Sequence, residues 1–228
     1  MKKTKRQKWI ELFQDLNLLM EDNIEKWSSI EYIRLCYDEF ISNLKKLKDL
    51  QPELEKDISA VKMELAENRK ILVQKIFPLA NILEVYAEDQ QLGKKASALI
   101  LDQKRLEKTS HKNLFNYANR IYRQIDKYVH RTEIEDDSPV QVSPGQDIER
   151  YGLTPSMMDE LNSAIHQFQS AMKLRKDVLS YREKTQKKSD DLIRCNRKLL
   201  KSRLNKLMTV FSGTHPSFYQ EYVSVIRK

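Results

Sequence analysis

An all-α fold, an elongated antiparallel helical bundle, is what this sequence predicts, on three observations. Apolar residues recur at three- and four-residue steps along most of the 228-residue chain, the spacing of one helix face. Four glycines and six prolines are all that punctuate it, too little turn material for a many-stranded β fold. Charged residues reach 32% against 40% apolar, the balance of long helices that keep a wide wet face. The length fits either one domain or two small ones.

Phe13, Leu16, Met20, Ile24, Trp27, Ile30, Tyr37, Ile41 and Leu44 predict one long helix from about Lys8 to Asp49. Pro52 suits the first turn of the next helix, where its missing N–H costs nothing. That helix carries Leu54, Ile58, Val61, Leu65, Leu72, Ile76, Leu79, Leu83 and Tyr86. Pro78 sits inside its stripe, which predicts a kink there or a break near Phe77. Two such stripes joined by a tight link make an αα-hairpin.

Gly93 could cap the second helix. Shorter helices follow, over about Lys94 to Glu107 and about His111 to His130. Thr132 to Arg150 has six acids, two prolines and a glycine but no stripe, and reads as an acidic loop or linker. Thr154-Pro155 is a helix start, with Thr154 as N-cap and Pro155 in the first helical place. Gly213-Thr214-His215-Pro216 closes one helix and opens the last.

An internal echo links the halves. Phe40 to Leu83, slid 128 positions, lies without a gap on Phe168 to Phe211, pairing Asn68-Arg69-Lys70-Ile71-Leu72 with Asn196-Arg197-Lys198-Leu199-Leu200. It aligns Ser180 with Pro52, which predicts a second hairpin turn near Asp177 to Ser180. Ser180-Tyr181-Arg182-Glu183 has the capping-box form that would begin a helix there. Ile58 and Val61 become Gln186 and Ser189 in the second copy, so its core face is thinner. The expected bundle is thus two related long hairpins padded by shorter helices. Its segments are 1–131, an acidic linker 132–153, and 154–228, either as separate parts or as one continuous bundle.

Tyr151-Gly152-Leu153-Thr154, the helix through Phe168, the Leu204-Asn205-Lys206-Leu207-Met208 stripe, and Phe218 with Tyr222 resemble a family of uncharacterised bacterial all-helical proteins. Similar families carry the Trp27…Phe40 and Val85-Tyr86-Ala87 patterns. The resemblance covers most of the chain and rests on packing positions. It implies an α-helical bundle and no catalytic residues.

Net charge is +8, unevenly spread. The first eight residues hold five Lys/Arg, and 173–206 hold thirteen against four acids. Arg194, Arg197, Lys198, Lys201 and Arg203 could line a helix flank and touch phosphates without reading sequence. The plainer reading is a solvated face that keeps the bundle in solution. An acidic loop folded over that face is a further expectation.

Glycine stands only at 93, 145, 152 and 213, so no phosphate-cradling loop can be written. Neither H-x-x-x-H nor C-x-x-C occurs. Glu107/His111 and Asp126/His130 are i,i+4 pairs, commoner as surface contacts than as metal ligands. His166 reads as a helix-flank residue, and Tyr117, Tyr122 and Tyr128 as packing residues with hydroxyls at the rim. Cys36 and Cys195 read as buried or half-buried free thiols in a reducing cytoplasm. No apolar run is long enough to span a membrane, and the basic start leads into no signal-peptide core. No catalytic residue, metal, cofactor or small-molecule ligand is indicated. The expected role is non-enzymatic: a structural or interaction module for a protein partner or for itself. The alternative is sequence-nonspecific binding of a polyanion such as nucleic acid through the basic C-terminal hairpin.

Overall fold

The computed structural model describes residues 4–90, 103–129 and 148–227. Among them the fold is all-α, with no strand, and no helix is long and apolar enough to cross a membrane. The chain falls into two compact units. One joins Met1–Lys56 to Leu179–Lys228, and the other is Asp57–Val178. This partition pairs the two ends of the chain, whereas the sequence reading grouped neighbouring segments.

In the first unit, α1 (Lys5–Asp22) opens on a capping box: Gln7 N–H donates to Thr4 Oγ1 at 3.2 Å, and Thr4 N–H to Gln7 Oε1 at 2.8 Å. The single helix expected from Lys8 to Asp49 is not formed. α1 ends at Asp22, α2 spans Ile24–Trp27, and α3 spans Glu31–Glu55. Side chains take over the carbonyls freed at that break. Asn23 Nδ2 donates to Leu19 O at 2.9 Å and Trp27 Nε1 to Met20 O at 2.8 Å, which satisfies a helix end that would otherwise be buried unpaired. α1 then runs antiparallel to α3. Phe13 meets Phe40 edge-on at 5.6 Å, and Tyr37 OH donates to Asn17 Oδ1 at 3.0 Å.

Pro52 lies inside α3 and not at the start of a helix. It is exposed, so the carbonyl that its missing N–H leaves open can bond water. The break comes instead at Lys56 to Ile58, where Asp57 Oδ1 accepts Ser59 N–H at 2.8 Å. This bond, with one from the Ser59 hydroxyl, holds the Asp57 carboxyl below its usual range.

The second unit starts with α4 (Ser59–Asp89), which continues unbroken through Phe77 and Pro78. α5 spans Gln103–Lys108 and α6 spans His111–Val129; Gly93, His130 and the acidic segment to Asp147 lie outside the described residues. Arg69 of α4 donates to the carbonyls of Leu106, Glu107 and Thr109 at 3.0, 2.8 and 2.5 Å, closing the end of α5 as a cationic cap. Gly152 adopts φ +89°, a left-handed turn natural to glycine. Thr154 then caps α7 (Pro155–Leu199), accepting Met157 N–H on Oγ1 at 3.3 Å. Cap and proline stand where the sequence places them.

α7 corrects another expectation. It passes through Asp177 to Ser180 without a turn, so Ser180-Tyr181-Arg182-Glu183 caps nothing. The antiparallel partner of each half of α7 is a different helix. In the first unit Arg182 Nη2 donates to Leu54 O at 2.8 Å, Asn43 Nδ2 to Asn196 Oδ1 at 2.9 Å, and Arg203 lies 4.0 Å from Glu39. Numbers rise on α3 as they fall on its partner. In the second, Lys75 pairs with Glu160 and Tyr151 OH donates to Asp89 Oδ2 at 2.9 Å, again antiparallel.

Beyond Leu199 the helix widens into a π segment, Leu200–Leu204, followed by α8 (Asn205–Leu207), a 3₁₀ turn (Met208–Val210), α9 (Phe211–Thr214) and α10 (Pro216–Arg227). The last helix starts at Pro216 as expected. Each unit has its own core. Phe13, Leu16, Trp27, Phe40, Leu204 and Phe218 fill the first, and Leu72, Ile76, Ile121, Leu161 and Phe168 the second. Each such side chain contributes about 2 kcal/mol relative to leaving it exposed.

Candidate functional site

The five basic residues singled out in the sequence do not form one cluster. Arg194, Arg197, Lys198 and Lys201 are all exposed and recur at three- and four-residue steps, which puts them on one face of the helix. Arg194 pairs with Asp191 at 3.2 Å, and the Arg197 guanidinium stacks 4.4 Å over the Trp9 ring. Arg203 stands apart. With Lys201 it belongs to the π segment, but it points toward Glu39 of α3 at 4.0 Å, with 66% and 54% of the two side chains exposed. An ion pair that wet adds little stability.

The π segment is flanked by polar contacts of two buried side chains, Asn196 and Tyr222. Asn196 is fully buried, donating to Phe40 O at 3.2 Å and accepting from Asn43. One turn later Leu199, Leu200 and Leu204 are all buried. The π turns close i→i+5 bonds, and just after them Asn205 Oδ1 accepts the Tyr222 hydroxyl at 2.7 Å. Burial, above all, pushes the Tyr222 phenol well above its ordinary value.

Beside this segment a groove of about 570 Å³ opens between α3 and the chain after Lys201, lined by Tyr32, Leu35, Cys36, Glu39, Ser202, Arg203, Lys206 and Leu207. Tyr32 is 71% exposed and Leu35 52%. Cys36 is buried beside it, and burial raises its thiol pKa while nearby Arg203 opposes the shift. Cys195 is exposed, contrary to expectation, and both thiols are free.

The second unit holds a feature that charge counting along the chain passes over. α6 and the first part of α7 flank a groove of about 830 Å³. α6 contributes Phe115, Asn116, Asn119, Arg120, Arg123, Gln124 and Lys127, and α7 contributes Asn162, Ile165, His166 and Gln169. Among the described residues three cations line it and no carboxylate does. The signal was present in the 116, 119/120, 123/124, 127 spacing, the polar complement of the Leu114, Ala118, Ile121, Ile125 stripe. His166 is exposed on this groove.

His111 does not join Glu107. It is half-buried, its ring stacked on Phe168 with centroids 5.8 Å apart and planes 25° from parallel. Burial, then Arg69 and Arg175, hold its pKa below the ordinary 6.5. Among the described residues no group of three or more His, Cys, Asp or Glu side chains converges as metal ligands would. Comparison with family models, curated proteins and solved structures gives no match to this chain.

Proposed function

We propose that the protein is a non-enzymatic interaction module whose first unit receives an acidic amphipathic helix from a protein partner. The observation that carries this reading is the open groove beside the π segment, with Tyr32 and Leu35 exposed along it. Large apolar side chains rimmed by polar ones suit a helix laid into a groove. Arg203 and Lys206 outnumber Glu39 on the lining, and exposed Lys198 and Lys201 precede them, so acidic flanks on the guest are favoured.

Capture from a native extract at two salt concentrations tests it. Tyr32→Ala with Leu35→Asp should abolish capture of the acidic partner. Met63→Asp should not, since Met63 is 65% exposed in the other unit. Capture indifferent to the groove substitutions would reject the reading. A salt-insensitive rise in mass with concentration would point to self-association instead.

A second reading, polyanion binding through the strip of Arg194, Arg197, Lys198 and Lys201, draws on their shared exposure. Its mark is salt-sensitive retention on a polyanion column that disappears when the four become Glu.

A further inference from the structure

We propose that the groove between α6 and α7 in the second unit is a binding site for single-stranded nucleic acid. It differs in place and ligand from the acidic-helix groove and does not depend on it. Arg120, Arg123 and Lys127 follow one another along one wall, with no carboxylate among the described residues of the lining. At 1.5 Å per residue they spread over about 10 Å, in steps of about 4.5 and 6 Å. That is wider than one phosphate group can bridge, and it suits neighbouring phosphodiesters of a single strand.

The other groups argue for a nucleic acid over a bare polyphosphate. Asn116 on one wall, with Asn162 and Gln169 on the other, offer paired donors and acceptors. Among the described residues no hydrogen bond joins the two walls: the Asn119 amide donates to Phe115 O and that of Gln124 to Tyr128 OH, both along α6 itself. The facing amides are therefore available to base edges or ribose. Phe115 supplies a half-buried aromatic face within the groove, the type of surface against which a base lies. All three cations lie on α6, and the facing wall of Asn162, His166 and Gln169 on α7 is what sets the groove apart from a solvated flank. Here a cationic wall and an amide-bearing wall face a shared gap.

Fluorescence anisotropy of the full chain with a labelled oligo-uridine tests the proposal across a salt series. Three phosphate contacts predict a slope of log K against log salt of about −2 for single strands. Arg120→Glu, Arg123→Glu and Lys127→Glu together should lower affinity more than tenfold and flatten the slope, with helical circular dichroism unchanged. Lys45→Glu, Lys48→Glu and Lys70→Glu make the same change in net charge at exposed positions outside both grooves and the basic strip, and should leave affinity within about twofold. Absence of binding by the unaltered chain would overturn the proposal, as would equal losses in the two triple variants. Inorganic polyphosphate competing as well as oligo-uridine at equal phosphate would overturn the assignment to nucleic acid.

Discussion

Ser189 shows how one residue can carry a cost of its environment. Its hydroxyl is buried at 1% exposure and has no hydrogen-bond partner among the described residues, where a hydroxyl is usually satisfied. Replacing it with alanine should stabilise the protein by about 1 kcal/mol, because the desolvation penalty disappears and little volume is lost; a higher urea midpoint would register it. His111 makes the opposite kind of case. Its folded-state pKa is lowered by burial and by Arg69 and Arg175, so the unfolded chain binds a proton more readily. Stability should therefore be full above pH 6.5 and fall as pH drops through 6.5, where only the unfolded state gains the proton. Urea midpoints at pH 8, 6 and 5 should decline in the parent more steeply than in His111→Phe.

At the scale of elements, α7 offers the sharpest test. Were there a turn at Ser180 with its hydroxyl as a cap, Ser180→Ala would cost about 1 kcal/mol. In a continuous helix the same change is neutral or favourable by a few tenths of a kcal/mol. Ser180 is exposed and lies well inside Pro155–Leu199, so Ser180→Ala should not lower the melting temperature. Ser180→Pro should lower stability by about 3 kcal/mol. The π segment carries two buried leucines, Leu200 and Leu204, at an i,i+4 spacing that a regular α-helix would also bury on one face.

For the whole molecule, the first unit is assembled from both ends of the chain. Trp9 and Trp27 are the two tryptophans of the sequence, and both lie in that unit. Phe218 and Tyr222 of α10 belong to the same core as Trp27. Removing residues from 215 onward should thus red-shift tryptophan emission, although both fluorophores lie about two hundred residues earlier in the chain. Emission unmoved by that truncation would contradict the shared core.

Helix content, the Thr154-Pro155 start and the restart at Pro216 were legible because they depend on local terms: apolar period, capping chemistry and proline geometry. The breaks were legible only in part. Asn23 and Trp27 end α1 by reaching back to Leu19 and Met20, and a stripe of apolar residues does not report where such carbonyls find donors. The internal echo pointed to a turn at Ser180 because it compares sequence with sequence, while the chain there packs along a helix that never turns. The groove cations of α6 were visible as a polar spacing, but only the facing Asn162 and Gln169 of α7 made that spacing a groove. The sequence by itself determined that this chain is helical and marked most of the residues its helices bury, though Ile24 of the expected stripe is 50% exposed. Which helices bury them together was decided by tertiary packing, since periodicity specifies a face and not its partner.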